Sequence, residues 1–305
     1  MKTIYVLGSL NIDLFITTDR IPEKGETING YNFFISPGGK GANQAVQAAK
    51  LGAQVKMIGN VGDDHYSEII KNNLIKYNID IKNLSYSKNT KSGVAIIINS
   101  NNDNRIITDP GANKLVNSNK LDEYINGDKN DVLITQFEMS DEVIYKGLKI
   151  AKQKNMITIL NPAPFRNILD PIYQYIDYLI INQTEAFQLT NIYPNTLEQA
   201  KQIYEMLKLK GLKKLIITLG SSGSIYIDEL NIITQEAYKV NVKSTVGAGD
   251  SFIGTFAYGI LNNISLKSNL KYCSAAASIV VANNETQQAM PNLDEIKQFL
   301  KAKNK

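Results

Sequence analysis

Gly247-Ala248-Gly249-Asp250 is the stretch whose residue types could do chemistry together, and an apolar, helix-compatible run from Phe252 to Leu261 follows it. A glycine-rich turn that enters a helix gathers unpaired backbone N–H groups and the positive end of the helix dipole around one carboxylate. This suits an anion that is attacked beside a base. A transferring phosphoryl group needs both parts: donors for its equatorial oxygens, and a group that takes the proton of the incoming hydroxyl. On its own a GxGD string is more often a turn capped by an acid, so the elements that position it must decide.

The rest of the composition narrows the chemistry by elimination. The chain of 305 residues holds one histidine, His65, and one cysteine, Cys273. A Ser-His-Asp or Cys-His hydrolase would have to be built on His65, and the nucleophile elbow G-x-S-x-G is missing. Acid and base work therefore falls to carboxylates. A single cysteine offers neither a disulfide framework nor a metal pair. The formal charge of +4 is small for this length and its lysines are scattered, so no nucleic-acid or membrane footprint is expected. With no signal peptide and no apolar run of spanning length, a cytoplasmic enzyme is the default expectation.

The spacing predicts strands at Thr3–Leu7, Val55–Ile58, Val132–Thr135, Met156–Leu160, Tyr178–Ile181 and Leu215–Thr218, alternating with helical patterns such as Asp141–Lys154. That rhythm argues a single α/β domain with a mostly parallel central sheet and helices on both faces. Ligands of such sheets lie at the carboxyl ends of the strands. The polar motifs of this chain fall there: Asn11 and Asp13 in a turn after the first strand, Glu138, Asn182 with Glu185, and Thr218 to Gly223. Each has a plainer reading beside it. Asn11 and Asp13 read equally as an Asx-turn, Asn182 and Glu185 as an N-cap with its capping-box partner, and Thr218–Gly223 as a turn before a hairpin strand. Their common location weighs against a set of unrelated turns. His65 starts a helix and reads as a surface or capping residue.

Two alternating segments, about 14–36 and 94–108, predict small strands with one face exposed, the second folded on a turn at Asn101-Asn102-Asp103-Asn104. Together they would make a small sheet covering a site, a lid. Between the first of them and the next strand lies Ser36-Pro37-Gly38-Gly39-Lys40-Gly41-Ala42-Asn43-Gln44-Ala45, read as a ligand-contacting loop that runs into a helix ending near Leu51-Gly52. It is not a Walker A loop, which needs G-x-x-x-x-G-K-[ST], and no G-x-G-x-x-G follows the first strand.

In order along the chain, N-I-D at 11–13, P-G-G-K-G-A-N-Q-A at 37–45, Asn-Pro-Ala-Pro at 161–164, N-x-T-E at 182–185, T-L-G-S-S-G at 218–223 and G-A-G-D-S-F at 247–252 resemble the ribokinase, or PfkB, family of sugar kinases. The match runs from about Tyr5 to Pro291. The resemblance implies a three-layer α/β/α domain with a β lid that serves as a homodimer clasp, and transfer of the γ-phosphoryl of ATP to the 5-hydroxyl of a pentose. It implies Asp250 as the base and Gly247, Ala248 and Gly249 as the anion hole. Asn11, Asp13, Gly39, Lys40, Asn43 and Glu138 would hold the sugar; Asn182, Thr218, Gly220, Ser221 and Gly223 would line the nucleotide site. Asn182 and Glu185 would organise Mg²⁺, through water. A deoxyribokinase or another pentose or nucleoside kinase stays open as the alternative, and a catalytically silent sugar-binding regulator as a third reading. Family members activated by a monovalent cation usually carry Asp where this chain has Ser244, and Gly where it has Glu285. Serine has no charge to offset K⁺, so weakened or lost K⁺ activation is expected.

Overall fold

The computed structural model describes residues 2–100 and 103–303. In chain order the first half forms β1 (Thr3–Leu7), β2 (Asn11–Thr17), β3 (Tyr31–Gly38), α1 (Lys40–Lys50), β4 (Gln54–Val61), α2 (His65–Lys76), β5 (Leu84–Tyr86), β6 (Gly93–Ser100), β7 (Asp103–Asp109) and α3 (Leu121–Tyr124). The second half adds β8 (Val132–Gln136), α4 (Asp141–Gln153), β9 (Ile157–Asn161), β10 (Tyr178–Asn182), α5 (Gln183–Thr190), α6 (Leu197–Leu209), β11 (Leu215–Thr218), β12 (Ser224–Ile227) and β13 (Ile232–Gln235). Three helices close it: α7 (Ala248–Leu261), α8 (Leu266–Val281) and α9 (Leu293–Lys303).

The large sheet has the order β13-β12-β11-β10-β9-β8-β1-β4-β5 among the described residues. It is parallel from β5 to β11, and antiparallel where β12 and β13 join. Strand β1 is buried throughout and rich in apolar residues because both of its faces are covered. Ile4 and Val6 pack into the layer that includes Val46 of α1, Ile70 of α2, Phe256 of α7 and Leu270 of α8. Tyr5 and Leu7 point the other way, toward Leu121 of α3, Leu148 of α4 and Ile203 of α6. The result is the expected three-layer α/β/α arrangement. Burying each such side chain stabilises the fold by roughly 1.5–3 kcal/mol relative to leaving it in water.

Chain order reverses between β1 and β8: β4 and β5 extend the sheet on one side, β8 to β11 on the other. Such a switch point opens a crevice outside the carboxyl ends of the strands. Helices α1 and α7 cross near it in close contact. Gly254 permits this, since a Cβ there would lie 2.6 Å from the Gln44 carbonyl oxygen.

A second, four-stranded sheet has the order β3-β2-β6-β7. Its outer pairs are antiparallel and its central pair, β2 with β6, is parallel. Several boundaries differ from the sequence expectation. Asn11 and Asp13 lie in strand β2 of this sheet and not in a turn, because pairing with β3 and β6 satisfies their backbone. The expected glycine-rich loop shrinks to Gly39, since β3 runs to Gly38 and α1 starts at Lys40. Helix α7 starts at Ala248, four residues before the apolar run, so Asp250 sits inside its first turn. Helix α5 follows the capping-box reading of Asn182 and Glu185, whereas α6 and strands β5 and β13 have no counterpart in the sequence expectation. Of the turn expected at Asn101-Asn102-Asp103-Asn104, the first two residues lie outside the described residues, and Asp103 and Asn104 belong to β7. His65 is a surface residue; the cap of α2 is Asp64, which accepts from the Ser67 N–H. No helix among the described residues is long and apolar enough to cross a membrane.

Candidate active site

Two cavities open at the carboxyl ends of the parallel strands. One, of about 520 Å³, is lined by Asn11, Asp13, Lys40, Asn43, Glu138 and Asp250, and by Gly39 and Glu185. The other, of about 840 Å³, is lined by Gly220, Ser221 and Gly223, by Tyr238, and by Ala277 and Ser278 of α8. They share Asn182, Thr218, Thr245 and Gly249. The fold thus brings every expected sugar, nucleotide and base residue to one pair of connected cavities that meet at the start of α7.

Gly247 is the N-cap of α7 with φ 79°, a left-handed backbone that favours glycine. It turns the chain so that the N–H groups of Gly249 and Asp250 have no acceptor among the described residues; that of Ala248 reaches the Thr245 carbonyl only at 3.4 Å. Gly249 stands exposed at the junction, with open space where a side chain would go. One turn of helix therefore offers anion donors toward both cavities.

The Asp250 carboxylate is buried, and both of its oxygens are held. Oδ2 accepts from Asn43 Nδ2 and Oδ1 from Gln44 Nε2, each at 2.9 Å. Asn43 thus lines the smaller cavity while its amide group is engaged with Asp250. Glu138 accepts from the Ser9 hydroxyl and, at 3.2 Å, from the Lys40 backbone N–H, which ties β1 and the β8 loop to the start of α1. Asn11 Oδ1 accepts from Asn113 Nδ2 at 2.8 Å, and Asn113 is itself fixed on the Leu10 backbone. That leaves the Asn11 amide nitrogen for a ligand.

Asp13 is buried with no hydrogen-bond donor to its carboxylate among the described residues. Burial, and then the neighbouring charges of Glu138 and Asp250, push its pKa up to about 7 against a smaller pull from Lys40. A polar ligand that donates hydroxyls would meet an acceptor waiting to be satisfied. Burial works against the Lys40 ammonium, but Asp250, Glu138, Glu185 and Asp13 outweigh it and hold its pKa above the ordinary value. Lys40 makes no ion pair within 4 Å among the described residues, so it stays available for an anion.

Asn182 and Glu185 form the capping box of α5: Oδ1 of Asn182 accepts from the Glu185 N–H at 2.8 Å, and Oε2 of Glu185 from the Asn182 N–H at 2.9 Å. The plainer reading of this pair is therefore present, and Glu185, with Oε1 outside the capping box, lines the smaller cavity. Burial raises the Glu185 pKa, opposed by its hydrogen bond to Asn182 and by Lys40. No group of three or more His, Cys, Asp and Glu side chains that could hold an ion occurs among the described residues. One buried carboxylate at the junction fits an Mg²⁺ ion that keeps phosphate oxygens and water as its other ligands.

Ser244 accepts at its hydroxyl from the Val246 N–H at 3.3 Å, and the backbone of Lys243 and Ser244 donates to the Val281 carbonyl. Glu285 is exposed, and its charge acts on the Tyr77 phenol. Neither residue lines the two cavities.

Sequence reasoning missed the neutral amides Gln44, Gln136, Gln287 and Asn113, which orient the named residues. The signal was available in α1, where Asn43, Gln44 and Gln47 interrupt a run of small apolar residues on a fully buried face.

A doubly wound sheet with a second sheet over its crevice and two joined cavities that meet at a buried carboxylate and unpaired backbone N–H groups fits a carbohydrate kinase. Residues 1–293 match the pfkB family carbohydrate kinases, and the chain belongs to that family. The ribokinase of Dictyostelium discoideum is 37% identical over 97% of this chain and 99% of its own length. The deoxyribokinase of Salmonella typhimurium is 33% identical over 97% and 98%. Among solved structures, Arabidopsis thaliana ribokinase complexed with ribose and ATP aligns with a TM-score of 0.89 at 28% identity, covering 98% of each chain.

Proposed function

We propose that the protein transfers the γ-phosphoryl group of ATP to the 5-hydroxyl of D-ribose, giving ribose 5-phosphate and ADP. The observation that carries this reading is the meeting of two cavities at Gly249, with the Asp250 carboxylate on the sugar side of that junction. Asp250 takes the proton of the hydroxyl as its oxygen attacks phosphorus, and the bond to the ADP oxygen breaks. The unpaired N–H groups of Gly249 and Asp250, at the end of the Gly247–Gly249 turn, receive the charge on the equatorial oxygens, and the dipole of α7 adds to them. Lys40, Asp13, Asn11, Asn43 and Glu138 orient the sugar. Thr218, Gly220, Ser221 and Gly223 hold the nucleotide. Asn182 and Glu185 would hold Mg²⁺, through water; when bound, it neutralises phosphate charge. We place this activity in the cytoplasm, where ATP is supplied.

The likeness to the Salmonella deoxyribokinase favours 2-deoxyribose as the second substrate reading. Following ADP release with ribose, 2-deoxyribose, fructose and adenosine separates these possibilities. Ribose should give the highest kcat/KM; no turnover with any of them would instead support a sugar-binding regulator.

The second sheet, β3-β2-β6-β7, is proposed as the lid and as a homodimer surface. Across its four strands the register aligns two apolar rows. Ile106, Ile97, Phe15 and Phe34 form the inner row, and Ile107, Ile96, Leu14 and Ile35 the outer. Ile97 and Phe15 are buried on the cavity side, whereas Ile107 is 63% exposed on the other. An apolar outer face of this kind suits a second copy of the chain. Ser244 and the exposed Glu285 support the reading that K⁺ activation is weak.

A further inference from the structure

Two chains of amides converge on Asp250. From one side Asn73 Nδ2 donates to Gln287 Oε1 at 2.6 Å, Gln287 Nε2 to Asn43 Oδ1 at 2.8 Å, and Asn43 Nδ2 to Asp250 Oδ2 at 2.9 Å. From the other, Gln136 Nε2 donates to Gln44 Oε1 at 2.7 Å and Gln44 Nε2 to Asp250 Oδ1 at 2.9 Å. Gln287, Asn43, Gln44 and Gln136 are all buried. An ionised carboxylate only accepts, so Asn43 and Gln44 must turn their NH₂ groups toward it. Their oxygens then face away and need donors, which Gln287 and Gln136 supply. One charge thus dictates the orientation of every amide behind it. The first chain is closed by Asn73; the second ends on a Gln136 oxygen with no partner among the described residues.

We infer that Gln287, on the segment between α8 and α9, is a positioning residue that holds the Asp250 carboxylate through Asn43. The inference rests on Asp250 being the base. Residues beside Gln287 are bound by α1, the helix that carries Asn43. Lys50 Nζ donates to the Gln288 carbonyl at 3.0 Å, and Gln47 Nε2 to the Pro291 carbonyl at 2.9 Å. The Thr286 methyl fills the space over Gly247, since a Cβ at Gly247 would lie 2.4 Å from it. One segment therefore touches the base through Gln287 and the anion turn through Thr286. With both oxygens pinned by amides, the remaining lone pairs are fixed in direction, and the sugar hydroxyl meets an acceptor that does not swing. Removing Gln287 frees the Asn43 amide to rotate, and its oxygen then repels the carboxylate.

Gln287→Met removes the donor, while Gln287→Glu keeps the volume and makes the position acceptor-only, which turns Asn43 around. Both should lower kcat about 10- to 100-fold, the scale of a roughly 1 Å misplacement, with the KM for ATP unchanged; some loss of thermal midpoint accompanies either change, since Gln287 is buried and bonded on both sides. A double-mutant cycle with Asp250→Asn distinguishes positioning from general support of the fold. Gln287→Met should cost nothing more in the Asp250→Asn background. Wild-type kcat in both Gln287 variants, or a loss that persists in full in that background, overturns the inference. If Asp250→Asn alone turns over normally, the assignment of the base is what fails. Gln287→Glu is informative if Gln287→Met does not fold.

Discussion

The two cavities are built of opposite materials. The smaller one gathers Asp13, Glu138, Glu185 and Asp250 around Lys40. The larger is walled by small and apolar groups, Ala237, Val240, Val242, Ala277 and Val281, with Lys239 as its charged lining residue. Buried carboxylates are costly unless something satisfies them, so the smaller cavity needs amide chains, a lone ammonium and backbone N–H groups to hold its charges. The larger cavity, the proposed nucleotide site, relies on shape, because an apolar wall loses little on accepting a flat ring system. Perturbation should therefore act electrostatically and on turnover in the first cavity, and sterically and on ATP affinity in the second.

Asp250→Asn should have the largest effect, lowering kcat about 10²- to 10⁴-fold, or roughly 3–5 kcal/mol of barrier, with sugar and ATP dissociation constants near wild type. Titration calorimetry beside steady-state kinetics checks this, and loss of sugar binding would mean that the two roles are not separable. On the other side, Ala277→Phe should raise the KM for ATP about tenfold, within the usual 1–3 kcal/mol cost of overpacking, and leave sugar affinity alone. If both affinities fell, the cavities would not be independent.

A smaller effect, specific to the charged cavity, follows from Asp13. Its pKa stands at about 7 in the folded protein. Sugar hydroxyls that donate to the carboxylate favour its ionised form, so binding releases a proton and sugar affinity should rise several-fold from pH 6 to pH 8, with ATP affinity flat. Asp13→Asn should abolish the slope. The same raised pKa means that the folded state binds this proton more tightly than the unfolded chain does. Its contribution to stability should fall as pH rises from about 4 to about 7 and level off above. Thermal midpoints of the wild type and of Asp13→Asn across that window test the sign. The smallest effect expected is that of KCl, less than a twofold change in kcat in K⁺-free buffer; a large stimulation would show that Ser244 suffices where an acid is usual.

The elements with continuous apolar runs were legible. Strands β1 and β11 begin and end where the sequence places them, because burial on both faces leaves a pattern that local composition alone reveals. Boundaries failed where tertiary pairing overrode local character. Asn11 and Asp13 look like turn residues and lie in a strand, since β3 and β6 supply their backbone partners. Gly39 to Ala45 looks like a loop, yet all but Gly39 is helix, because packing against β1 and α7 stabilises small residues that have little reason to be helical alone.

By itself the sequence determined the class of fold and the order in which loops arrive at the strand ends, and it singled out Asp250 as the carboxylate proposed as the base. These are local facts, carried by periodicity, by glycines and by one carboxylate in a particular turn. Only the tertiary structure decided how that carboxylate is held. Asn73, Gln287, Asn43, Gln44 and Gln136 come from four separate stretches of chain and carry no charge or spacing that links them. A hydrogen bond between amides is short-range and directional, so nothing identifies such a partner until folding brings it within 3 Å.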